Sequence, residues 1–185
     1  ADHDFWRYEE AIAPRRMETV YLDEALKREV LDDLDEFASE ETKEWYARHC
    51  IPFRRGFLLH GPPGTGKTSL IAAIATRMRR PVHRVNLVAP RMCDDSLRTA
   101  MTRVEDGSIV VFEDIDSLFG VHREKNEQCN VTFSGLLNAL DGIGDTTKGT
   151  LFLFTTNHPE KLDPALRRRG RVDREFYVGP CTEGQ

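Results

Sequence analysis

The 185-residue sequence predicts an α/β domain in which a parallel sheet of five strands lies between layers of helices. Short apolar runs typical of strands alternate along the chain with segments of helical periodicity. The runs 108–112 and 150–154 are almost entirely apolar, as expected of strands buried on both faces of a parallel sheet. With 39% hydrophobic and 31% charged residues, the chain can bury one core beneath a polar surface.

Two helices are predicted before the first strand. The first carries apolar residues at helical spacing: Leu22, Leu26, Val30, Leu34 and Phe37. We interpret its acidic run, 32–36, as a solvated face rather than a ligand site. A shorter helix contains Trp45 and Tyr46 and ends near Pro52, after which Arg54 and Arg55 lead into the first strand.

A glycine-rich segment joins the first strand, 56–60, to a helix that spans 69–78. It fits G-x-x-x-x-G-K-[ST], the phosphate-binding loop. Glycine lets the backbone N–H groups turn inward toward phosphates, Lys67 adds a positive charge, and Thr68 offers a hydroxyl to Mg²⁺. The strand and helix flanks disfavour the alternative, an ordinary glycine-rich turn. The predicted nucleotide-binding residues are Gly61, Pro62, Pro63, Gly64, Thr65, Gly66, Lys67, Thr68 and Ser69.

The remaining elements continue the alternation of strands and helices. Further strands are predicted at 82–88, 108–112, 150–154 and 175–178. A helix that carries Leu97, Met101 and Val104 begins at 94–96, where Asp and Ser can cap it. Later helices are predicted at 131–143 and 162–168, and the polar segment 120–130 is predicted to be a mobile loop.

Acidic residues follow the third predicted strand, at the edge of the sheet where ligands bind in such folds. Nucleotide hydrolysis needs one carboxylate that holds Mg²⁺, usually through water, and one that orients the attacking water. We assign Glu113 to the metal, together with Thr68, and Asp114 to the water. We expect Asp116 to cap the next helix. An acidic strand end in solvent is the alternative.

Two further features lie near the C-terminal end. Asn157 ends the fourth predicted strand, and its amide can hydrogen-bond both a phosphate oxygen and a water. A turn-forming Asn before His158 and Pro159 is the alternative. Five arginines lie within eight residues, 167–174, which favours an anionic partner.

The bulk composition limits the function classes. A net charge of −5 gives no support to a general polyanion-binding role, so we expect no nucleic-acid partner. The sequence has no long apolar run that could cross a membrane. The four cysteines, which form no CxxC pair, predict free thiols rather than a zinc site; they are Cys50, Cys93, Cys129 and Cys181.

Together these motifs resemble the AAA ATPases. Segments 61–68, 113–116, 155–157 and 162–173 look like that family's Walker A, Walker B, sensor 1 and second region of homology. Within the family, the sequence is most similar to the Bcs-one-like subfamily, the chaperones that assemble mitochondrial respiratory complex III. The segments that carry this closer resemblance are 54–56, 113–114, 131–142 and 155–163.

The resemblance implies a sheet order of 5-1-4-3-2, which seats the strand of Asn157 between the two Walker strands. Arg168 and Arg171 would be arginine fingers that act on the γ-phosphate of a neighbouring subunit. The adenine would lie near 20–22 and Ile51. The implied ligands are ATP and Mg²⁺, and the implied partners are a protein client and a homo-oligomeric ring of roughly six or seven subunits.

The resemblance also divides the chain into an N-terminal linker, 1–21, the large α/β ATPase subdomain, 22–180, and a tail, 181–185. We expect the helical lid of this family, absent here, and any membrane anchor to lie outside these residues, because the chain looks like a piece of a longer protein. The implied location of the full-length protein is the mitochondrial inner membrane. The cytoplasm or another organelle membrane is the alternative, because bacterial and plant relatives differ in location.

Three departures from the family pattern bear on function. The acids Glu113 and Asp114 stand in reversed order, as in the subfamily, and Arg169 occupies a position where family members usually have proline. Segment 88–94, where threading motors carry an aromatic pore loop, has no aromatic residue. This argues against the pulling of unfolded chains and fits the subfamily, which is thought to move a folded protein.

The sequence thus predicts an ATP-hydrolysing ring that remodels or translocates a protein client, as a membrane-complex assembly chaperone does. The alternative, prompted by the reversed acids and Arg169, is a nucleotide-dependent assembly scaffold with little turnover. A small-molecule kinase or a DNA-loading clamp ATPase ranks last, because the sequence shows no acceptor-binding lid motif and no basic DNA face.

Overall fold

The computed structural model describes residues 6–7, 14–119, 130–142 and 149–180. Within them, the core strands are β1 Arg54–His60, β2 Val82–Val85, β3 Ile109–Phe112, β4 Thr150–Thr156 and β5 Arg174–Tyr177. The α-helices are α1 Glu24–Ala38, α2 Glu40–Arg48, α3 Lys67–Met78, α4 Asp94–Thr102 and α5 Phe133–Asp141. Short 3-10 helices lie at Met17–Thr19, Ile115–Ser117 and Pro159–Lys161.

The five core strands run parallel in the order β2-β3-β4-β1-β5. The predicted order, 5-1-4-3-2, is confirmed. A two-residue strand, Trp6–Arg7, adds to the β2 edge in antiparallel orientation. Because β4 lies between β1 and β3, His60 pairs with Thr156 and Phe112 pairs with Phe154. The carboxyl ends of β1, β3 and β4 therefore meet at one edge of the sheet.

Two apolar clusters cover the two faces of the sheet. On one face, α1 and α3 pack on the strands through residues such as Leu34 and Ile74. On the other face, α4 and α5 do so through Met101, Leu136 and their neighbours. Successive residues of β1 belong to opposite clusters, as strand geometry requires. This double burial explains why the strands appear as continuous apolar runs in the sequence.

The interpretation of the acidic run 32–36 as a solvated face is wrong at Asp33. This side chain, only 4% exposed, lies on the buried face of α1 with Val30 and Leu34. Its carboxylate pairs with Arg55 of β1 at 3.3 Å and with Arg174 of β5 at 2.8 Å. Burial raises the pKa of Asp33, and the two guanidinium groups oppose that rise. A charge this deep requires such partners, so the pairs tie α1 to two strands.

The second predicted strand is too long at its C-terminal end. β2 stops at Val85, because the Asn86 side chain accepts a hydrogen bond from the Val88 N–H at 3.2 Å and turns the backbone. The cap of α4 also differs from the prediction. Cys93 precedes the helix, and its N–H donates to Ser96 Oγ at 2.7 Å, whereas Asp94 binds Thr132.

The helix predicted at 162–168 is wrong, because the segment folds as successive turns. Leu166 N–H donates to Asp163 O, and Arg167 N–H donates to Pro164 O, which are turn rather than α-helical bonds. The Ala165 carbonyl, which an α-helix would pair with a backbone N–H four residues on, instead accepts from the Arg171 guanidinium at 2.5 Å. A long-range side-chain contact therefore replaces the helical bond.

Some predicted features lie outside the described residues. They are the predicted loop 120–130 except for Asn130, the end of the helix predicted at 131–143, Cys129 and Cys181, and the tail 181–185. Within the described part of the chain, Cys50 and Cys93 are free and exposed. No helix that the structure describes is both long and apolar enough to span a bilayer.

Candidate nucleotide-binding site

Residues 61–69, here termed the glycine loop, comprise the turn after β1 and the first three residues of α3, and their backbone depends on glycine. Gly61, Gly64 and Gly66 have φ angles of 147°, 79° and 94°. A Cβ added to Gly61 would lie 2.2 Å from the Val178 carbonyl oxygen, so no side chain fits there. The loop ends at the N-terminus of α3, where unpaired backbone N–H groups and the helix dipole favour an anion. This geometry fits the phosphates of a nucleotide.

Lys67 is held inside the glycine loop and is only 8% exposed. Its ammonium group donates to Gly61 O at 2.7 Å, to Pro62 O at 2.9 Å and to Asn157 Oδ1 at 2.7 Å. Burial lowers the pKa of Lys67, and the nearby carboxylates of Asp114 and Asp116 oppose this change. The loop therefore has a fixed cation at its base, joined directly to the end of β4.

Thr68 and Glu113, which the sequence assigns to Mg²⁺, lie together. Thr68 Oγ1 donates a hydrogen bond to Glu113 Oε1 at 3.2 Å, across the gap between α3 and the end of β3. Among the described residues, no group of three or more His, Cys, Asp or Glu side chains could hold a metal. Nucleotide-bound Mg²⁺ typically takes one or two carboxylates and completes its shell with phosphates and water. A hydroxyl beside a single carboxylate fits that requirement.

Asp114 and Asn157, predicted to act on the attacking water, are also brought together. Asn157 Nδ2 donates to Asp114 Oδ1 at 3.4 Å, while Asn157 Oδ1 faces Lys67. Asp114 has a left-handed backbone conformation with φ of 49°, and its N–H donates to Thr155 Oγ1 at 2.9 Å. This turn directs the neighbouring side chains of Glu113 and Asp114 to different partners. The two adjacent acids can therefore take separate tasks.

The expectation that Asp116 caps a helix is wrong. Asp116 lies within the 3-10 helix Ile115–Ser117, and its Oδ1 accepts from Thr156 Oγ1 at 2.6 Å and from Asn157 N at 3.1 Å. The carboxylate thus fixes the end of β4 and the backbone of Asn157. Sequence reasoning missed this role because both partners lie about forty residues away along the chain.

The two predicted arginine fingers have different surroundings. The Arg168 side chain is exposed, and its guanidinium makes no hydrogen bond or ion pair with any described residue. Arg171 instead makes a bidentate ion pair with Asp141. The distances are 3.0 Å from Nε to Oδ1 and 2.5 Å from Nη2 to Oδ2. The hydrogen bond from Arg171 lowers the pKa of Asp141. Within the described part of the chain, neither guanidinium contacts the glycine loop.

Arg54 and Gly56 at the start of β1 contact two different parts of the chain: α5 and the finger segment, residues 162–173. Arg54 donates to the Leu140 carbonyl and lies 3.9 Å from Asp141. A Cβ at Gly56 would lie 1.7 Å from the Arg171 carbonyl oxygen, so only glycine permits this approach. In the sequence analysis, segment 54–56 is one of the segments that carry the subfamily resemblance, but it has no predicted role. The structure shows that Gly56 joins β1 to the finger segment, whereas Arg54 joins β1 to α5, whose Asp141 binds Arg171.

The described part of the predicted linker packs on α3 beside the glycine loop. Met17 and Val20 are buried in the same apolar cluster as Ile71. Arg15 donates from Nη1 to Ser69 Oγ at 2.9 Å, and its backbone N–H donates to Thr76 Oγ1 at 3.0 Å. No sequence signal pointed to this contact.

The residues expected near the adenine divide by exposure. Val20 and Leu22 are buried in the apolar core, whereas Tyr21 and Ile51 are exposed. The two exposed side chains are the ones that a base could contact. That contact stays a prediction.

Comparison with known proteins gives one family. Residues 57–180 match the family model described as "ATPase family associated with various cellular activities (AAA)". The "Probable mitochondrial chaperone bcs1" of Schizosaccharomyces pombe is 42% identical over 174 residues, which cover 92% of this chain and 38% of that protein. The human "Mitochondrial chaperone BCS1" is 40% identical over 182 residues, covering 93% and 43%.

A plant protein is similar to a comparable degree. "AAA-ATPase At3g28600" of Arabidopsis thaliana is 38% identical over 197 residues, which cover 96% of this chain and 41% of the plant protein. The chain therefore spans about two fifths of the length of the relatives that it matches.

Proposed function

Because this chain belongs to the AAA ATPase family, we propose that it binds ATP with Mg²⁺ and hydrolyses the ATP as one subunit of a homo-oligomeric ring. The observation that supports this proposal most strongly is the amide of Asn157, which bonds Lys67 on one side and Asp114 on the other. The Asn157 side chain therefore bridges Lys67, the cation proposed to bind phosphate, and Asp114, the acid proposed to act on water.

The binding roles follow from the geometry of the glycine loop. Its N–H groups and the N-terminus of α3 hold the phosphates, and Lys67 lies beneath the β- and γ-phosphates. Thr68 and Glu113, which lie in contact, would hold Mg²⁺. When bound, Mg²⁺ supplies positive charge that neutralises charge developing on the phosphate oxygens.

Hydrolysis requires a water molecule in line with the γ-phosphate. Asp114 accepts a hydrogen bond from that water and orients it, while the Asn157 amide keeps the Asp114 carboxylate in place. Asp114 is one methylene shorter than glutamate, so the water lies closer to the strand end. The left-handed turn at Asp114 supports this role, because it separates the carboxylate from Glu113.

Arg168 is the better candidate for the finger that reaches a neighbouring subunit, because Arg171 is already bound to Asp141 within its own chain. Arg171 then positions the finger segment rather than contacting nucleotide. An arginine finger contributes about 10³–10⁵ in rate in other nucleotidases. The lone subunit is accordingly a poor catalyst.

The client and location are proposed from the relatives. Two of them are named as mitochondrial chaperones, which supports a protein client and a mitochondrial location for the full-length protein. The inner membrane is proposed from the subfamily resemblance alone. Remodelling or translocation of a folded client, as in assembly of a membrane complex, fits the lack of an aromatic residue in 88–94. A scaffold that binds ATP but hardly turns it over is the second candidate, because the shorter Asp114 stands where most of the family has glutamate.

Calorimetry and turnover measurements on the full-length protein test the proposal. Wild type and the Lys43→Ala control, which changes an exposed lysine on α2, should bind ATP with Mg²⁺. Lys67→Ala should lose that affinity yet still fold, because Lys67 lies outside both apolar clusters. Asp114→Asn should keep affinity and lose turnover.

The outcomes separate the candidates. Absence of nucleotide affinity in the wild type would overturn the proposal. Turnover unchanged by Asp114→Asn would favour the scaffold. Loss of the melting transition in nucleotide-free Lys67→Ala would show that this lysine is required for folding.

A further inference from the structure

A guanidinium group from β2 lies against the carboxylate proposed to hold Mg²⁺. Arg84 Nη1 is 2.8 Å from Glu113 Oε2, while Glu113 Oε1 accepts from Thr68 at 3.2 Å. The Arg84 side chain is 19% exposed and the Glu113 side chain 34% exposed. We propose that Arg84 is a positioning residue that holds Glu113 in its metal-binding orientation and so strengthens the binding of Mg²⁺. This inference rests on the proposed function.

The two oxygens of Glu113 have different neighbours. Arg84 contacts Oε2, whereas Oε1 faces the Thr68 hydroxyl, which is the side proposed for the metal. A free glutamate at a strand end can adopt many side-chain orientations, and metal binding must select one of them. The contact with Arg84 preorganises the Glu113 side chain in one of these orientations before the metal binds. Groups that orient a metal ligand in this way typically change metal affinity about 10–100-fold when removed.

A cation beside a metal ligand also has an opposing effect, because its charge repels Mg²⁺. Here that repulsion is weakened by water. A cleft of about 320 Å³ opens beside the ion pair and is lined by Arg84, Asn86, Glu113 and Ser117 among others. Solvent and salt in such a cleft screen the longer-range repulsion between Arg84 and a metal ion more than they screen the direct 2.8 Å contact that orients the carboxylate. Positioning therefore outweighs repulsion.

The inference is tested by Mn²⁺ binding, measured by electron paramagnetic resonance, to the ADP complex of the full-length protein. Arg84→Ala should weaken Mn²⁺ affinity about 10–100-fold. Arg84→Lys should recover part of the loss, because a lysine keeps the charge but not the planar fork. The matched control is Arg98→Ala, which removes an exposed arginine with a long 3.7 Å pair to Asp95, and it should change nothing.

Two further measurements keep the outcome specific to Glu113. ADP affinity in EDTA should be the same in wild type and Arg84→Ala, which also shows that the variant is folded. In a Glu113→Gln background, Arg84→Ala should have no further effect on Mn²⁺ affinity. Unchanged or tighter Mn²⁺ binding by Arg84→Ala would overturn the inference. Absence of ADP binding by the wild type in both EDTA and Mn²⁺ would overturn the proposed function itself.

Discussion

Asn157 occupies the centre of a network of hydrogen bonds that fixes its amide in one orientation. Lys67 can only donate, so the amide oxygen faces it, and the Asp114 carboxylate can only accept, so the amide nitrogen faces that side. The Asn157 backbone is held in turn by Asp116. A change at the phosphates would therefore reach Asp114 through a single side chain. This arrangement makes the position of Asn157 sensitive to every member of the network.

Asp116→Ala tests that dependence. The substitution removes a charged acceptor from Thr156 Oγ1 and Asn157 N, so unfolding free energy should fall by about 2 kcal/mol. ATP turnover should fall about 100-fold, because a small displacement of a positioned group is costly in catalysis. ADP affinity should change far less. Urea unfolding, steady-state kinetics and calorimetry measure the three quantities.

Asp95→Ala is the matched control, since it removes an exposed aspartate on α4 whose ion pair with Arg98 is long, at 3.7 Å. Equal effects of the two substitutions on turnover would contradict the assigned role of Asp116.

At this scale the sequence predicted a site made of Lys67, Thr68, Glu113, Asp114 and Asn157, because each stands at a fixed offset from the end of a strand. The structure brings these residues together, and their roles stay predictions. The sequence missed Arg84 and Asp116, whose partners lie 29 and 41 residues away. A carboxylate before a turn has the same sequence pattern whether it caps a helix or binds a distant strand. Only the sheet order decides between these roles.

Among the elements, α3 connects the glycine loop to the segment that precedes α1. Arg15 fastens that segment to α3 through Ser69, which directly follows Thr68, and through Thr76. A further bond from Arg15 to Thr19 O at 3.2 Å lies within the segment itself. The contact was absent from the sequence analysis because 1–21 lacks periodicity. The segment 162–168 shows the reverse error. Leu162 and Leu166 have helical spacing, but the Arg171 guanidinium takes the Ala165 carbonyl and the segment folds as turns. Tertiary contacts overrode local pattern in both segments.

Arg15→Ala should lower unfolding free energy by about 1–2 kcal/mol, because it removes two side-chain hydrogen bonds. It should also weaken ADP binding several-fold by loosening the first turn of α3. Arg16→Ala, which changes the adjacent exposed arginine, should do neither. Urea unfolding and calorimetry of both variants give the comparison. Indistinguishable variants would show that Arg15 does not fasten the segment to α3.

The finger segment is joined to α5 by an ion pair whose pH dependence can be derived. Hydrogen bonding from Arg171 holds the pKa of Asp141 below the usual aspartate value of 3.8. The unfolded chain therefore binds the proton more readily, so the pair stabilises the fold above pH 3.8. That stabilisation is lost as pH falls through the lowered folded-state pKa. Because Asp141 is half exposed, the effect is small.

The difference in unfolding free energy between wild type and Asp141→Asn should be constant above about pH 5 and should shrink below pH 3.8. Urea titrations at several pH values measure it. Asp95→Asn, at an exposed site that lies 3.7 Å from Arg98, is the matched control. A difference that grows on acidification would contradict the derived sign.

At the scale of the whole molecule, the parallel sheet gathers three strand ends into one site but leaves Arg168 away from it. The alternation of elements in the sequence predicted a parallel sheet, yet it did not predict the strand order. Apolar runs such as 108–112 and 150–154 are alike in pattern, so their neighbours in the sheet are set by packing. The order 5-1-4-3-2 came from resemblance. Completion of the site by a second copy is a property that no single chain displays.

Subunit mixing provides the decisive measurement of that completion. In the full-length protein, Arg168→Ala keeps its own Asp114 but offers no finger, whereas Asp114→Asn offers a finger but lacks the acid. Each variant alone should be nearly inactive. When the two are co-expressed at equal levels and assemble at random, an intact acid should meet an intact finger at about a quarter of the interfaces. Turnover should recover to about that fraction of wild type.

The matched control is co-expression of Arg168→Ala with a chain that carries both substitutions, because that mixture contains no intact finger and should stay inactive. If Arg168 acted within its own chain, every site in the first mixture would lack either the acid or the finger. No recovery would then occur, although both variants assembled. Recovery therefore distinguishes a site shared between subunits from one that each subunit completes alone, since no interaction within one chain can restore it.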